Sequence, residues 1–427
     1  METQDCIVVG GGPGGVVLAY LLARQGRRVT LLEARGDFAR RFRGDSLAPA
    51  VMDWLDALGL GEDVLARPHA VADAFTWHTP SRAYRIADYS TASERHPHYV
   101  LLPQPEFLAL LTERAAAFPG FRLEMSARVN GLVEEDGRVV GVRYRAADGA
   151  AREVRAPLVV GADGRFSQVR RLGGFDVEEL GAGLDILWFE VPRRPEDPPL
   201  SGLDYFSVPG RAIVALGQGA TWQLGYVIPT GSVAEAREAG VEPVVALARD
   251  RMPWLGDRLA ELTEFSQLTL LNVRITRLPS WYRPGLLLLG DAAHVISPVG
   301  GNGINIAIAD AADAGTVLGP LLAGAPDPAA PDPAAPGPAP DPSVLDAACA
   351  AFEQRRRAVS DAEQANQVRS ERGTVARLRS GDPEPFWLLK VVAAVPPLAR
   401  RLGRRSASAI GITPPSPALL AVPQPAP

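Results

Sequence analysis

A chain of 427 residues with 44 basic and 49 acidic side chains has room for two or three domains and a large core, and its net charge of -5 gives it no electrostatic footprint for nucleic acid. No uncharged apolar run reaches the roughly 18 residues of a membrane span, and no secretory signal is expected ahead of an apolar strand that begins at Cys6. The two cysteines, Cys6 and Cys349, lie far apart, which fits a reduced cytoplasmic protein better than a disulfide framework.

Cys6-Ile7-Val8-Val9 has the length and β-branching of a buried parallel strand. It runs into Gly10-Gly11-Gly12-Pro13-Gly14-Gly15 and then into apolar residues at helical spacing, Val17, Leu18, Leu21 and Leu22, with Gly26 as the stop. Val29 to Leu32 reads as a second strand ending on Glu33. The unit is βαβ with GxGxxG at Gly10, Gly12 and Gly15. Gly10 is expected to allow the tight turn, Gly12 to admit a pyrophosphate, and Gly15 to let helix and strand pack closely. Glu33 can accept hydrogen bonds from ribose hydroxyls, which favours FAD or NAD over NADP. A loop that merely opens a helix is the alternative.

Phe42-Arg43-Gly44-Asp45-Ser46 precedes a helix from Pro49 to Gly59; Arg43 reads either as a solvated residue or as one reaching the cofactor. Asp73 to His98 reads as a hairpin leaving the nucleotide domain, and its His78, His96 and His98 show no metal-ligand spacing. A short strand from Tyr99 to Leu102, a helix from Glu106 to Phe118, and a three-stranded antiparallel layer from Phe121 to Val160 follow, with turns at Asp136-Gly137 and Asp148-Gly149. The strand at Leu158 to Val160 ends in Gly161-Ala162-Asp163-Gly164, where Asp163 is either a crevice residue or a helix cap.

Residues 175 to 271 alternate as strands around a helix from Pro243 to Met252. Trp188, Phe206, Trp222 and Tyr226 are candidates for an aromatic-binding face, ordinary core roles being the alternative. A strand from Gly285 to Leu289 then opens into Gly290-Asp291 and, beyond Pro298, into Gly300-Gly301-Asn302-Gly303-Ile304 at the start of another helix. Two backbone-exposing turns suggest one long ligand held at both ends, which is what FAD requires. The Pro/Ala/Asp repeat over 324 to 342 is expected as a solvated loop. Ser343, as N-cap, starts a helix to Arg377, Phe386 to Leu402 is expected to pack on the core rather than on a membrane, and Ile412 to Pro427 to fray.

The three motifs, GxGxxG with Glu33, VVGADGRFSQVR with Asp163, and LLLLGDAAHVISPVGGNGIN with Asp291, resemble in order and spacing the FAD-dependent aromatic hydroxylases of the p-hydroxybenzoate hydroxylase type, group A flavoprotein monooxygenases. The resemblance implies an α/β fold. Its Rossmann-like FAD-binding domain would comprise residues 1–74, 99–175 and 272–321, and a mostly antiparallel β substrate domain residues 75–98 and 176–271. A loop over 322–342 and a C-terminal helical region over 343–427 complete it. It further implies that Glu33 holds the adenosine ribose, that Arg43 lies near the pyrophosphate, that Gln104 and Asp291 contact the ribityl chain, and that Asp163 contacts FAD and NAD(P)H. Pro298 and Gly300 to Ile304 would lie against the isoalloxazine, and Ala34, Arg35, Val129 and Gly290 would complete the cofactor set. FAD would be non-covalent, NAD(P)H a transient reductant, and a flavin C4a-hydroperoxide the hydroxylating species for an aromatic or polyketide-like substrate with O2. A monomer or homodimer without a membrane partner is expected. For a catalytic base, Tyr205, Tyr226 and His78 are candidates.

Two rivals share this architecture. A flavin-dependent reductase of isoprenoid-type double bonds would lack the oxygen chemistry. A halogenase would need a WxWxIP segment and an active lysine, whereas Trp222 to Pro229 lacks that spacing and the only lysine is Lys390. A flavoprotein kept solely as a redox sensor has no evident use for so large a middle domain.

Overall fold

The wholly apolar run Cys6–Val9 has no polar face to offer water, and it lies within a six-stranded sheet with all four residues buried. This computed structural model describes residues 4–39, 45–181, 183–298, 300–323 and 340–420. Val29–Leu32 and Val159–Gly161 flank the first strand in parallel, and Phe121–Glu124 and Leu286–Leu288 extend the ladder on either side. Tyr282–Arg283 closes one edge antiparallel. In register, Val9, Gly161 and Leu288 stand side by side. The turns that follow them therefore share the carboxyl edge of the sheet, where open α/β sheets take their ligands.

Two helices from those turns cover the sheet together. Pro13–Arg24 is buried along nearly its whole length and packs on Gly303–Leu318, where a Cβ on Gly315 would meet Leu21 at 2.9 Å. The missing side chain at Gly315 lets the two helices pack closely there.

Phe121–Glu124 departs from the sequence expectation: it pairs with Val29–Leu32 as an edge of the parallel sheet. The three-stranded antiparallel layer is instead Arg128–Glu135, Arg138–Arg145 and Ala151–Arg155. Its first turn has Asp136 and Gly137 at φ of 49° and 76°, the double left-handed conformation that an Asp-Gly pair accommodates.

A seven-stranded sheet takes strands Ala74–His78 and Ala83–Asp88 from the early hairpin and five more between Leu184 and Leu271. Its outer face (Leu187, Phe189, Ile213, Leu224) packs under the helix Glu242–Arg251. A buried pair pins that layer: Asp197 accepts from the Arg258 guanidinium at 2.7 Å and from Trp222 Nε1 at 2.8 Å, and these bonds hold its carboxyl far below the usual range. The inner face (Leu184, Ile186, Trp188, Ala212, Val227) looks the other way.

The helix Pro342–Ser380 runs 39 residues. Its cap is Asp341, which accepts from the Ser343 N–H at 2.8 Å, not Ser343, because Pro342 occupies the first helical position. The C-terminal segment buries only one side: Leu389, Ala393 and Leu402 pack around Trp77, Tyr84 and Ile86, while Trp387 is 74% exposed. Pro417–Leu420 forms a helical turn with Leu419 buried, so fraying does not extend there. Residues 324–339 of the Pro/Ala repeat lie outside the described set. Among the described residues no helix is long and apolar enough to cross a membrane, and both cysteines are buried free thiols.

Candidate active site

The first glycine turn is built so tightly that side chains are excluded. Gly10 has φ of 109°, and a Cβ there would lie 2.5 Å from the Ala162 carbonyl oxygen; a Cβ on Gly15 would lie 2.0 Å from the Gly10 oxygen. The helix opens at Gly12 with no side-chain cap. Its positive end and first N–H groups are therefore left to a ligand. Pro13 and Gly14 continue this surface, with Gly14 closing on Leu289 of the third motif.

Glu33 is buried, its Oε2 accepting from the Gly11 N–H at 2.7 Å and its Oε1 from the Arg35 N–H at 2.9 Å. A carboxylate oxygen can accept more than one hydrogen bond, which suits this group to a ribose hydroxyl. The Glu33 carbonyl accepts from Ala127 and the Arg35 carbonyl from Ser126, which brings Ala34 and the nearby Val129 to the same end.

Asp163 acts as a helix cap: it accepts from the Ser167 hydroxyl, from the Gln168 N–H at 2.6 Å and from the Val169 N–H at 3.0 Å, and burial pushes its carboxyl upward. Arg170, which sequence reasoning passed over, ties the two strand ends together through the carbonyls of Ala292 (3.0 Å) and Arg165 (2.8 Å).

Asp291 contrasts with Asp163. Among the described residues its carboxylate accepts no hydrogen bond; Arg165 lies 3.9 Å away and Arg170 is within electrostatic reach. Gly290, at φ of 58°, is held by its N–H to Asp310, which also takes His294 Nε2 (2.8 Å) and Arg356 Nε (2.7 Å). Burial opposes ionisation of Asp310, but these two partners together hold its carboxyl down at about 2.

Beyond Pro298, Gly300 and Gly301 have φ of 94° and 69°, and the helix starts at Gly303–Ile304 after Asn302, whose side chain does not cap it. Asn302 Oδ1 is buried without a partner among the described residues. The long C-terminal helix clamps this turn: Gln367 Oε1 accepts from the Ser297 N–H at 2.7 Å, Glu363 from Asn302 Nδ2 at 3.0 Å, and Glu371 from the Ser297 hydroxyl and, at 2.9 Å, the Gly183 N–H. Burial raises the Glu371 carboxyl. Glu371→Ala is expected to weaken FAD binding about tenfold, the equivalent of one lost hydrogen bond to a charged group, as read by flavin fluorescence titration. An unchanged affinity would make the clamp irrelevant to the turn.

These features fit FAD: two uncapped helix starts, glycine surfaces that a Cβ would fill, and an open strand-end carboxylate between them. A family model described as an FAD-binding domain matches residues 3–332. The 6-methylpretetramide 4-monooxygenase of Streptomyces rimosus is 37% identical over 318 residues, covering 74% of this chain and 75% of that protein. The chain belongs to this family, the FAD-dependent monooxygenases. The kynurenine 3-monooxygenase of Salinispora arenicola (strain CNS-205) is 29% identical over 378 residues, covering 84% of this chain and 77% of that one. A mutant of Pseudomonas aeruginosa PqsL shares the fold, with a TM-score of 0.72 at 24% identity over 90% of this chain and 99% of its own.

The monooxygenase's four aromatic candidates do not form one face. Phe206, Trp222 and Tyr226 belong to the outer layer, where Trp222 is 1% exposed, whereas Trp188 points inward beside Ile186 and Val273. Strand alternation places neighbours on opposite sides, and the sequence does not say which side is which. Tyr226 lines a cavity of about 280 Å³ on that outer side, with Glu235 and Pro243.

The candidate bases divide between the two faces, Tyr205 lying with Val214 on the inner one. His78 faces outward, bonding Asp204 at 2.7 Å and stacking on Phe206; Tyr226 shares that side; Tyr205 packs edge-on against Trp77. Arg43 lies outside the described residues. Gln104 starts the helix Gln104–Ala116, and its N–H donates to Asp45 at 3.1 Å.

Asp53, Asp56 and His96, unrelated by any ligand spacing, do converge in space. Asp56 is already shared by His96 (2.7 Å) and Arg95 (3.1 Å), and Asp53 accepts from the Ser93 hydroxyl at 2.7 Å.

Proposed function

We propose that this monooxygenase hydroxylates an aromatic or polyketide-like small molecule, drawing electrons from NAD(P)H and oxygen from O2. One observation carries the substrate class: the 37% identity to an enzyme named as a 4-monooxygenase of 6-methylpretetramide. Bound FAD would supply the oxygen-activating redox chemistry that protein side chains lack.

The chain's own residues would do the holding. Gly10, Gly12 and Gly15 with the first helix start would take the pyrophosphate, Glu33 the adenosine ribose, and Asp291 the ribityl hydroxyls. The second helix start at Gly303, with its positive end, would stabilise negative charge on the reduced ring. The inner face of the seven-stranded sheet, with Trp188 and the half-buried Val214 and Leu216, would meet the substrate. Halogenation is disfavoured by Lys390, which pairs with Glu384 at 2.9 Å in the C-terminal region.

The test is NAD(P)H oxidation against a panel of phenols and polycyclic aromatic polyketides, with product mass. Substrate-stimulated oxidation and a product heavier by one oxygen atom are expected. Anaerobic turnover with saturation of a double bond would replace this reading by a reductase.

A further inference from the structure

We propose that Asp45 is the acid–base residue of the reaction, accepting the hydroxyl proton of the substrate as the ring is oxidised. The assignment rests on the hydroxylase reading above and deepens it. Asp45 stands where the three parts of the site meet. Its Oδ1 accepts the Gln104 N–H at 3.1 Å, and its backbone carbonyl accepts the Leu102 N–H at 2.8 Å. Ser46, the next residue, donates to the Gly301 carbonyl at 3.1 Å and accepts from Asn305 Nδ2 at 2.8 Å, which fixes Asp45 to the second glycine turn. From the sheet's inner face, Gln218 gives its side-chain amide to Asp45 Oδ2 and also donates to the side-chain Oε1 of Gln223 at 3.4 Å.

The charge environment distinguishes this carboxylate. Asp197, Asp310 and Asp313 are each matched by an arginine, at 2.7, 2.7 and 3.1 Å. Asp45 has amide donors only among the described residues, and the one charged group felt from the sheet is Glu190, which repels it. Loss of solvation, against which the Gln218 and Gln104 bonds work, pushes the carboxyl up to about 7. A base poised near the working pH is the most effective kind. Asp45 nonetheless keeps some exposure, so a bound ligand can reach it.

In the step itself the substrate O–H bond breaks and its proton goes to an Asp45 oxygen. The bonding pair stays on the substrate oxygen and enriches the ring carbon that attacks electrophilic oxygen. The oxidation draws on the O2 and NAD(P)H already invoked, and the proton later leaves to water.

Asp45→Asn keeps the shape and removes the charge. It should still take up FAD, which verifies folding, and should hydroxylate about a hundredfold more slowly or worse. The wild-type rate should fall about tenfold per pH unit below an inflection near 7, and the variant should lose that inflection. The affinity for 1-naphthol, read without turnover by quenching of its fluorescence, should tighten in the wild type as the pH rises through that value, because the ionised carboxylate accepts the naphthol hydroxyl hydrogen bond, and should lose that dependence in the variant. Gln218→Ala, which keeps the carboxylate but removes a donor that favours ionisation, should move the inflection upward. A pH dependence of rate or of naphthol affinity that persists in Asp45→Asn, or one unmoved by Gln218→Ala, overturns the assignment. A wild type that shows the pH-dependent naphthol affinity yet adds oxygen to no phenol would instead overturn the hydroxylase reading and leave Asp45 as the group that holds the substrate hydroxyl.

Discussion

Gly15→Ala is expected to yield a colourless protein. The added Cβ would sit 2.0 Å from the Gly10 carbonyl oxygen, well inside any tolerable contact. That oxygen cannot retreat, because Gly10 itself is held at φ of 109° against Ala162, with its N–H bonded to the Leu32 carbonyl at 2.8 Å. The overlap must be relieved by lifting the helix start away from the strand, which moves the N–H groups meant for the pyrophosphate. Overpacking of this kind costs about 1–3 kcal/mol, and at the upper end it weakens FAD binding roughly a hundredfold. Titration of the apoprotein with FAD, followed by fluorescence quenching, measures it. Gly26→Ala is the control: Gly26 also has a positive φ, 76°, but nothing lies within 4 Å of its Cβ position. It should cost about 1 kcal/mol of stability and leave FAD affinity alone. Equal affinities for the two variants would remove the first turn from the cofactor site.

That contrast also marks what a sequence reveals here. The two glycine turns were legible because the forces that shape them are local: a positive φ, a helix start and a strand end fall within a few residues of one another. The buried parallel strands announced themselves as unbroken apolar runs for the same reason. The sheet faces did not, since period-two alternation assigns residues to sides without naming the side that meets a helix layer. Phe206, Trp222 and Tyr226 therefore fell on the face opposite Trp188. Asp45 stood in a segment whose only evident candidate was Arg43; its distinctive state comes from Gln218, about 170 residues away in the chain, and from lost solvation. The long helix hid its role similarly. Its buried stripe is apolar at Leu345, Cys349 and Phe352 and becomes polar at Gln364, Gln367 and Glu371, a pattern that reads as a solvated surface until the turn it clamps is placed against it.

Arg356→Leu should be among the most destabilising single changes. Asp310 is fully buried and bonded at once by the Gly290 N–H, His294 Nε2 and Arg356 Nε, and Arg356 also donates to the Gly411 carbonyl at 2.8 Å. Removing the guanidinium leaves a buried carboxylate with a single side-chain partner, and breaking such a pair costs about 3–5 kcal/mol. The sign of its pH dependence follows from the direction of the Asp310 shift, down to about 2 from an unfolded value near 3.9. The native pairing contributes its full stability above the unfolded value and loses it as the pH falls through the folded one. Urea midpoints at about pH 7 and about pH 3 should thus show the wild-type advantage large at the first and reduced at the second. The loss has a functional reading as well. Asp310 holds the Gly290 N–H, and Gly290 sets the position of Asp291, so any Arg356→Leu protein that folds should release FAD more readily than the wild type. A variant of wild-type stability at neutral pH would mean that Asp310 is held neutral and that the network is a set of hydrogen bonds without an ion pair.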